Sequence, residues 1–193
     1  MGTRGAVGVI NNGKYFVTYN HWDSYPDSLG QEIVDFCQRL SEQNIEQLKE
    51  KISKVQLVNE DCPPSKKTIE RYVSNRFYSK SVSSGKKTEW YCLLRDLQGV
   101  EMLRAILNGT CSHMIDSLDS LRDSLFCEYA YIVNLDNNSL EFYEGSNKSP
   151  DTNSPLPLPQ VEDRGYYPVR FNGRYPLDNI SDNWIKELYP DEG

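Results

Sequence analysis

His21 and Asp23 lie two residues apart in the run Tyr19-Asn-His-Trp-Asp-Ser-Tyr-Pro26. An imidazole held by a carboxylate is the usual way to tune and aim a proton acceptor, so the pair could serve as a base and its orienter. The competing reading is structural. Asp23 bonds the backbone of the Ser24-Tyr25-Pro26 turn while His21 fills a strand end, and this reading is preferred because Asp, Ser and Pro together are turn chemistry. Asn20, beside the pair, is a further polar group, and Thr3 and Arg4 supply a hydroxyl and a guanidinium elsewhere in the first thirty residues. Arg4 could hold an anion, stay in solvent or pair with Asp23.

These residues share a site only if the chain folds back on itself. The Asn12-Gly13 pair sits between Ala6-Val-Gly-Val-Ile10 and Tyr15-Phe-Val-Thr-Tyr19, and Asn-Gly between apolar runs predicts a two-residue type I′ hairpin turn. The register follows: Ile10 faces Tyr15, Gly8 faces Val17, Gly5 faces Asn20, Arg4 faces His21 and Thr3 faces Trp22. Thr3 is thereby placed beside Asn20, His21 and Asp23. Ala6, Gly8, Ile10, Tyr15, Val17 and Tyr19 share one face of the hairpin, and Val7, Val9, Phe16 and Thr18 share the other. Both faces are largely apolar, which predicts a sheet covered on both sides.

Helical patterns follow. Ser28 with Gln31 reads as a capping box for a helix through Leu29, Ile33, Phe36, Cys37 and Leu40, and Ser41 caps a second with Ile45, Leu48 and Ile52. Ser65 caps a third with Ile69, Tyr72, Val73 and Phe77, Thr88 a fourth with Trp90, Leu93, Leu94 and Leu97, and Gly99 and Gly109 bracket a fifth. A weaker helical period runs through Met114, Leu118, Leu121 and Leu125. Cys127 to Leu135 and Leu140 to Tyr143 form a second hairpin, Tyr166 to Phe171 and Tyr175 to Leu177 two further strands, and Ser181 caps a last short helix. Residues 146–165 hold four prolines among Asn, Ser and Asp, a composition that predicts a mobile surface loop burying no core. The expectation is one α+β domain over 1–193: a mainly antiparallel sheet with helices on both faces.

Composition narrows the function. At 193 residues, 38% hydrophobic and 25% charged, the chain suits one sizeable core. A net charge of −7 argues against a general affinity for nucleic acid or anionic membrane. The one basic stretch is 66–87, where Lys66, Lys67 and Arg71 are candidate ligands for a nucleotide or RNA, with Tyr72, Phe77 and Tyr78 interleaved. On a helix, however, Tyr72 and Phe77 fall on the apolar side, so core packing accounts for them. Five cysteines without Cys-x-x-Cys spacing suggest neither disulfides nor a zinc knuckle, and reduced, mostly buried thiols are expected. No metal or cofactor is expected, since His113 is the only other imidazole. With no apolar run near the roughly 20 residues of a membrane span, a cytoplasmic protein is expected.

Two resemblances add to this reading. The opening Gly2-Thr3-x-x-Ala6-Val7-Gly8-Val9, followed by a turn and a strand, resembles the start of the N-terminal-nucleophile hydrolases, proteasome-type chains above all. In that family a Gly-Thr bond is cleaved autocatalytically and the freed threonine acts as nucleophile and, through its amine, as base. The resemblance implies an αββα scaffold with Thr3 as nucleophile and Asn20 or Asp23 orienting it. It spans about the first 23 residues, and no Lys aligns with the family's catalytic lysine. More of the chain, through Met1-Gly-Thr-Arg-Gly5, Tyr19 to Pro26 with Leu29-Gly30, Glu89-Trp-Tyr91 and Cys127 to Tyr131 with Leu140 to Tyr143, resembles a family of small uncharacterised fungal and phage proteins. That likeness implies a recurring domain and transfers no catalytic residue.

Three functions are therefore carried forward. The first is a small interaction or regulatory domain with a protein partner. The second is an amidohydrolase working through Thr3 or the His21 and Asp23 pair. The third is nucleotide or RNA binding through 66–87.

Overall fold

The structure is a computed structural model that describes residues 2–190. Its N-terminal hairpin joins β1 (Gly5–Asn11) to β2 (Lys14–Asn20). Asn12 and Gly13 have φ of 52° and 67°, the positive values a type I′ turn requires, and the pairing Gly5 with Asn20 through Ile10 with Tyr15 is the register expected from the sequence. The Asp136 carboxylate accepts hydrogen bonds from both turn amides, Asn12 N at 2.6 Å and Gly13 N at 2.8 Å. Thus a second turn of the chain fastens the first.

Helices α1 (Gln31–Gln38) and α2 (Glu42–Ile52) follow, with strand β3 (Gln56–Val58), then α3 (Lys66–Ser74), α4 (Trp90–Leu93) and α5 (Val100–Leu107). Ser41 caps α2 in a reciprocal box with Asn44, and the Ser65 hydroxyl accepts from Thr68 N at the start of α3. Ser28 makes no cap. It lies inside a single π turn, Pro26–Gly30, closed by Gly30 N donating to Tyr25 O, and α1 starts directly on that turn without a side-chain cap. Nor does Thr88 cap α4, whose N-cap position is Glu89. The 114–125 segment is not the weak helix of the sequence reading: it supplies β4 (His113–Ile115), paired parallel with β3, and a 3₁₀ turn at Leu118–Arg122. The chain closes with β5 (Tyr129–Asn134), β6 (Ser139–Glu144), β7 (Arg170–Pro176) and α6 (Trp184–Leu188). The two expected late strands are one strand, β7.

The main sheet runs β2-β1-β5-β6-β7, antiparallel throughout except for β1 beside β5, so the class is α+β with a mainly antiparallel sheet. Val7, Val9, Phe16, Tyr131, Val133, Leu140 and Phe142 face the helices and form the larger core with Ile33, Leu48, Leu103, Ile106 and Trp184.

The opposite face differs from the expectation of helices on both sides. Ala6, Ile10, Val17, Ala130, Ile132 and Tyr143 are covered by Leu121 of the 3₁₀ turn, by Val169, and by Leu156 and Leu158. Those two leucines belong to the proline-rich segment 146–165, which therefore does contribute core. In Pro155-Leu-Pro-Leu-Pro159 the two leucines are buried and the prolines between and around them are exposed, so alternate residues of the run face the sheet. Asn147, also buried, ties the segment down through its amide to Pro168 O. Among the described residues there is one five-stranded sheet and one two-stranded sheet, not a double-sheet αββα stack.

Glu141, fully buried on this second face, is satisfied by Asn134 Nδ2 at 2.9 Å and the Tyr143 hydroxyl at 2.6 Å. Arg174, paired with it on β7, adds a guanidinium 3.9 Å away, so the carboxylate is held by donors within the sheet.

If the proline-rich segment is a structural layer, Leu156→Ala and Leu158→Ala should each lower stability by about 2–5 kcal/mol. Val161→Ala, at an exposed position of the same segment, should change it by less than about 0.5 kcal/mol. Urea unfolding followed by circular dichroism measures all three, and equal small effects would remove the segment from the core.

Candidate functional site

Hairpin geometry gathers the sequence-predicted residues at one corner. Past the last pair of β1 and β2, Ser24 N donates to Thr3 O, and the Asn20 amide donates to Trp22 O and to the Ser24 hydroxyl at 2.8 Å. The Tyr131 hydroxyl, reaching across from β5, donates to Ser24 O at 2.9 Å. Asp23 adopts φ of 54°, a left-handed conformation uncommon for a non-glycine residue, and this reverses the chain into the π turn. Asn20 is consequently a buried structural link in the corner.

The same reversal turns the Asp23 carboxylate outward, where it makes no hydrogen bond with the described residues, neither to His21 nor to its own turn. His21 is oriented instead by Gln98, in the segment between α4 and α5. Gln98 Oε1 accepts from His21 N at 3.1 Å and lies 3.2 Å from His21 Nδ1. A carbonyl oxygen only accepts, so the imidazole carries a proton on Nδ1 and presents Nε2 as an acceptor. Burial pushes the His21 pKa below the ordinary histidine value, and the nearby guanidinium of Arg95 pushes it further the same way, with a smaller contribution from Arg4.

Arg95 is 6% exposed. Its guanidinium carbon lies 4.0 Å from the centre of the Trp22 ring and 5.1 Å from that of Tyr91. Tyr91, Arg95 and Gln98 follow i, i+4, i+7 spacing, a polar stripe visible in the sequence, but nothing local says that the stripe meets β2. These were the residues sequence reasoning missed. The same holds for Leu125 and Phe126, which lie beside Arg4 only because β5 pairs with β1.

Three cavities adjoin this corner. One of about 230 Å³ lies behind His21, between Tyr91, Arg95 and Gln98 and the apolar side chains of Leu94, Met102 and Ile115. A second, of about 370 Å³, is polar, with Asp23, Glu32 and Asp96 in its walls alongside Arg95. The third is an open cleft of about 750 Å³ between Gly2, Thr3 and Arg4 on one side and Leu125, Phe126 and Glu128 on the other, with His21, Trp22 and Tyr25 completing it. Arg4 is exposed, its guanidinium 5.3 Å from the centre of the Phe126 ring. Thr3 is buried, and its hydroxyl has no hydrogen-bond partner among the described residues.

The basic segment stands apart. Arg71 donates to Gly109 O at 3.0 Å and Thr110 O at 2.7 Å, closing the end of α5, so its guanidinium is engaged by backbone. Tyr72 is fully buried with its hydroxyl 2.6 Å from His113 Nδ1, the core role its helical position foretold. Lys66 and Lys67 are exposed at the start of α3 and line none of the three cavities around His21.

No group of three or more His, Cys, Asp or Glu side chains converges for a metal among the described residues, and the five cysteines are free, four of them buried. No helix among the described residues is long and apolar enough to cross a membrane. Comparison with protein-family models, with curated proteins and with solved structures finds no match.

Because His21 and His113 both have lowered pKa values, the unfolded chain takes up their protons at higher pH than the folded chain does. Their contribution is complete above about pH 6.5 and is lost as pH falls through the folded values, so stability should decline as pH drops below about 6.5. Proton NMR titration should place His21 below the ordinary value, with Asp23→Asn leaving it unmoved and Arg95→Met raising it. An ordinary or elevated His21 value would contradict the buried setting beside Arg95.

Proposed function

We propose that the protein is a small binding domain whose partner is a protein segment received in the cleft between Thr3-Arg4 and Leu125-Phe126. One observation carries this reading. Trp22, Tyr25, Leu125 and Phe126, exposed by 53%, 46%, 37% and 41%, all line that cleft, and only two other large hydrophobic side chains among the described residues are as exposed. Convergence of exposed aromatic and aliphatic groups in one concavity is what an anchoring site needs, and Trp, Tyr and Arg are the residues that most often dominate binding energy. Arg4 and Glu128, one of each sign at the rim, would select the charge of the flanking residues of the partner. The reading also suits the free thiols: four buried, unpaired cysteines fit a reducing compartment, and we place the protein in the cytosol.

A second reading, hydrolysis from Thr3, draws on its buried hydroxyl having no partner. It requires the Gly2-Thr3 bond to break so that the Thr3 amine can serve as base, and neither candidate orienting group reaches Thr3: the Asn20 amide is bonded to Trp22 O and Ser24, and Asp23 is exposed without a hydrogen bond among the described residues. We rank it below binding. Intact mass of the untagged protein is expected to retain Gly2, and a mass ending at Thr3 would reverse that ranking.

Selection from a library of displayed random peptides tests the binding reading. Recovered peptides should carry at least one aromatic or large aliphatic anchor, and Trp22→Ala and Phe126→Ala should each weaken their binding by about ten-fold or more while leaving circular dichroism unchanged. Selection that recovers no peptide, or peptides indifferent to both substitutions, would dismiss it.

A further inference from the structure

The Arg95 side chain is 94% buried by its 6% exposure and forms no hydrogen bond and no ion pair among the described residues; its Nη1 is enclosed without a partner. Aromatic faces on Trp22 and Tyr91 supply part of what a buried cation needs, but they satisfy none of its N–H groups. Guanidinium groups stay charged at any ordinary pH, so Arg95 cannot escape by losing a proton. A buried, unpaired charge is expensive unless something pairs with it. The carboxylates Asp23, Glu32 and Asp96 share the polar cavity with Arg95 but none approaches within 4.0 Å.

Arg95 also lines the cavity of about 230 Å³ behind His21. Beyond Arg95, His21 and Gln98, that space is lined mainly by Tyr19, Tyr91, Leu94, Leu97, Met102 and Ile115, with Thr18 and Ser117. A cavity of about 150 Å³ already accepts benzene, so this one has room for a ring or branched chain bearing a head group. We propose that it binds a small organic monocarboxylate, the carboxylate paired with the planar fork of Arg95 and the apolar body lying among Leu94, Met102 and Ile115.

A single anionic charge suits the site better than a phosphate dianion. Among the described residues Arg95 is the only Lys or Arg lining the cavity, and three carboxylates share the polar cavity beside it. The carboxylate also matches the guanidinium in shape, two parallel N–H donations to two oxygens. His21 does not compete, because burial keeps its imidazole neutral. This site is separate from the peptide cleft, although Tyr19 and His21 border both, and it stands or falls independently of that reading.

Titration of the full-length protein with benzoate, phenylacetate and isovalerate tests the proposal, with benzamide as the neutral isostere and inorganic phosphate as the dianion. At least one carboxylate should bind with one-to-one stoichiometry by calorimetry and move the Arg95 Nε–H resonance in nitrogen-15 NMR, and benzamide should bind at least ten-fold more weakly. Arg95→Met should lose at least ten-fold in carboxylate affinity. Should that variant not fold, the wild-type resonance shift and the benzamide comparison decide the matter. Silence from all three carboxylates, equal binding of benzamide, or an unmoved Arg95 resonance would each overturn the proposal, and preferential binding of phosphate would overturn its assignment to a monocarboxylate.

Discussion

Everything in this fold hangs on β1 lying parallel to β5. The pairing sets Gly5 against Tyr129 and Ile10 against Asn134 across more than a hundred intervening residues, and two parallel neighbours cannot be joined by a tight turn. All of α1 to α5, the small β3-β4 sheet and the 3₁₀ turn form the crossover between them. Side-chain size on β1 enforces the closeness of the strands. A Cβ on Gly5 would come within 2.3 Å of Tyr129 O and 2.8 Å of Ser24 Cβ, and one on Gly8 within 2.8 Å of Ile132 Cδ1. Two glycines, on opposite faces of the strand, thus let the Ser24 corner press against one side and Ile132 and Val17 against the other.

From that pairing the site follows. Tyr131 of β5 reaches under the corner to hold Ser24 O, and Gly30, at the end of the π turn, is packed so tightly that an added Cβ would meet the Trp184 ring at 2.7 Å. The Trp184 indole in turn donates to Gln31 Oε1 at 3.0 Å. Residues from the first strand and the fifth strand therefore fix the corner at Ser24, and the last helix fixes the end of the π turn at Gly30 and Gln31. A left-handed Asp23 and a π turn are both costly local geometries, and they persist here because surrounding contacts over-determine them.

What the sequence made legible was local. Asn12-Gly13 dictated a turn type, the turn type dictated the register from Gly5 with Asn20 to Ile10 with Tyr15, and the register brought Thr3 to the corner that His21 and Trp22 share. Ser41 and Ser65 declared two helix starts because a cap is a bond between residues three apart. Ser28 carried the same signal and misled, since the tertiary grip on Gly30 wound that turn wider than an α-helix. The partner of His21 was illegible for a different reason. Asp23 is two residues away and Gln98 seventy-seven, and only the crossover brings the latter to β2. The leucines between prolines failed for a third reason: composition averages over a segment, whereas burial is decided by which alternate residues face the sheet.

Burial first, and the charge arrangement at the corner second, hold the His21 pKa below the ordinary histidine value in an acidic protein. The chain carries a net charge of −7, yet the two charged groups that act on His21 are Arg4 and Arg95, and both oppose its protonation. Salt screens the exposed Arg4 but scarcely reaches the enclosed Arg95, so the inner guanidinium dominates the field at the imidazole. Asp23, the neighbour in sequence that would have raised the His21 pKa, is turned away by its own backbone. A proton donor held on Nδ1 by Gln98 and a free acceptor at Nε2 are the result: a neutral, fixed polar contact on the wall shared by the inner cavity and the outer cleft.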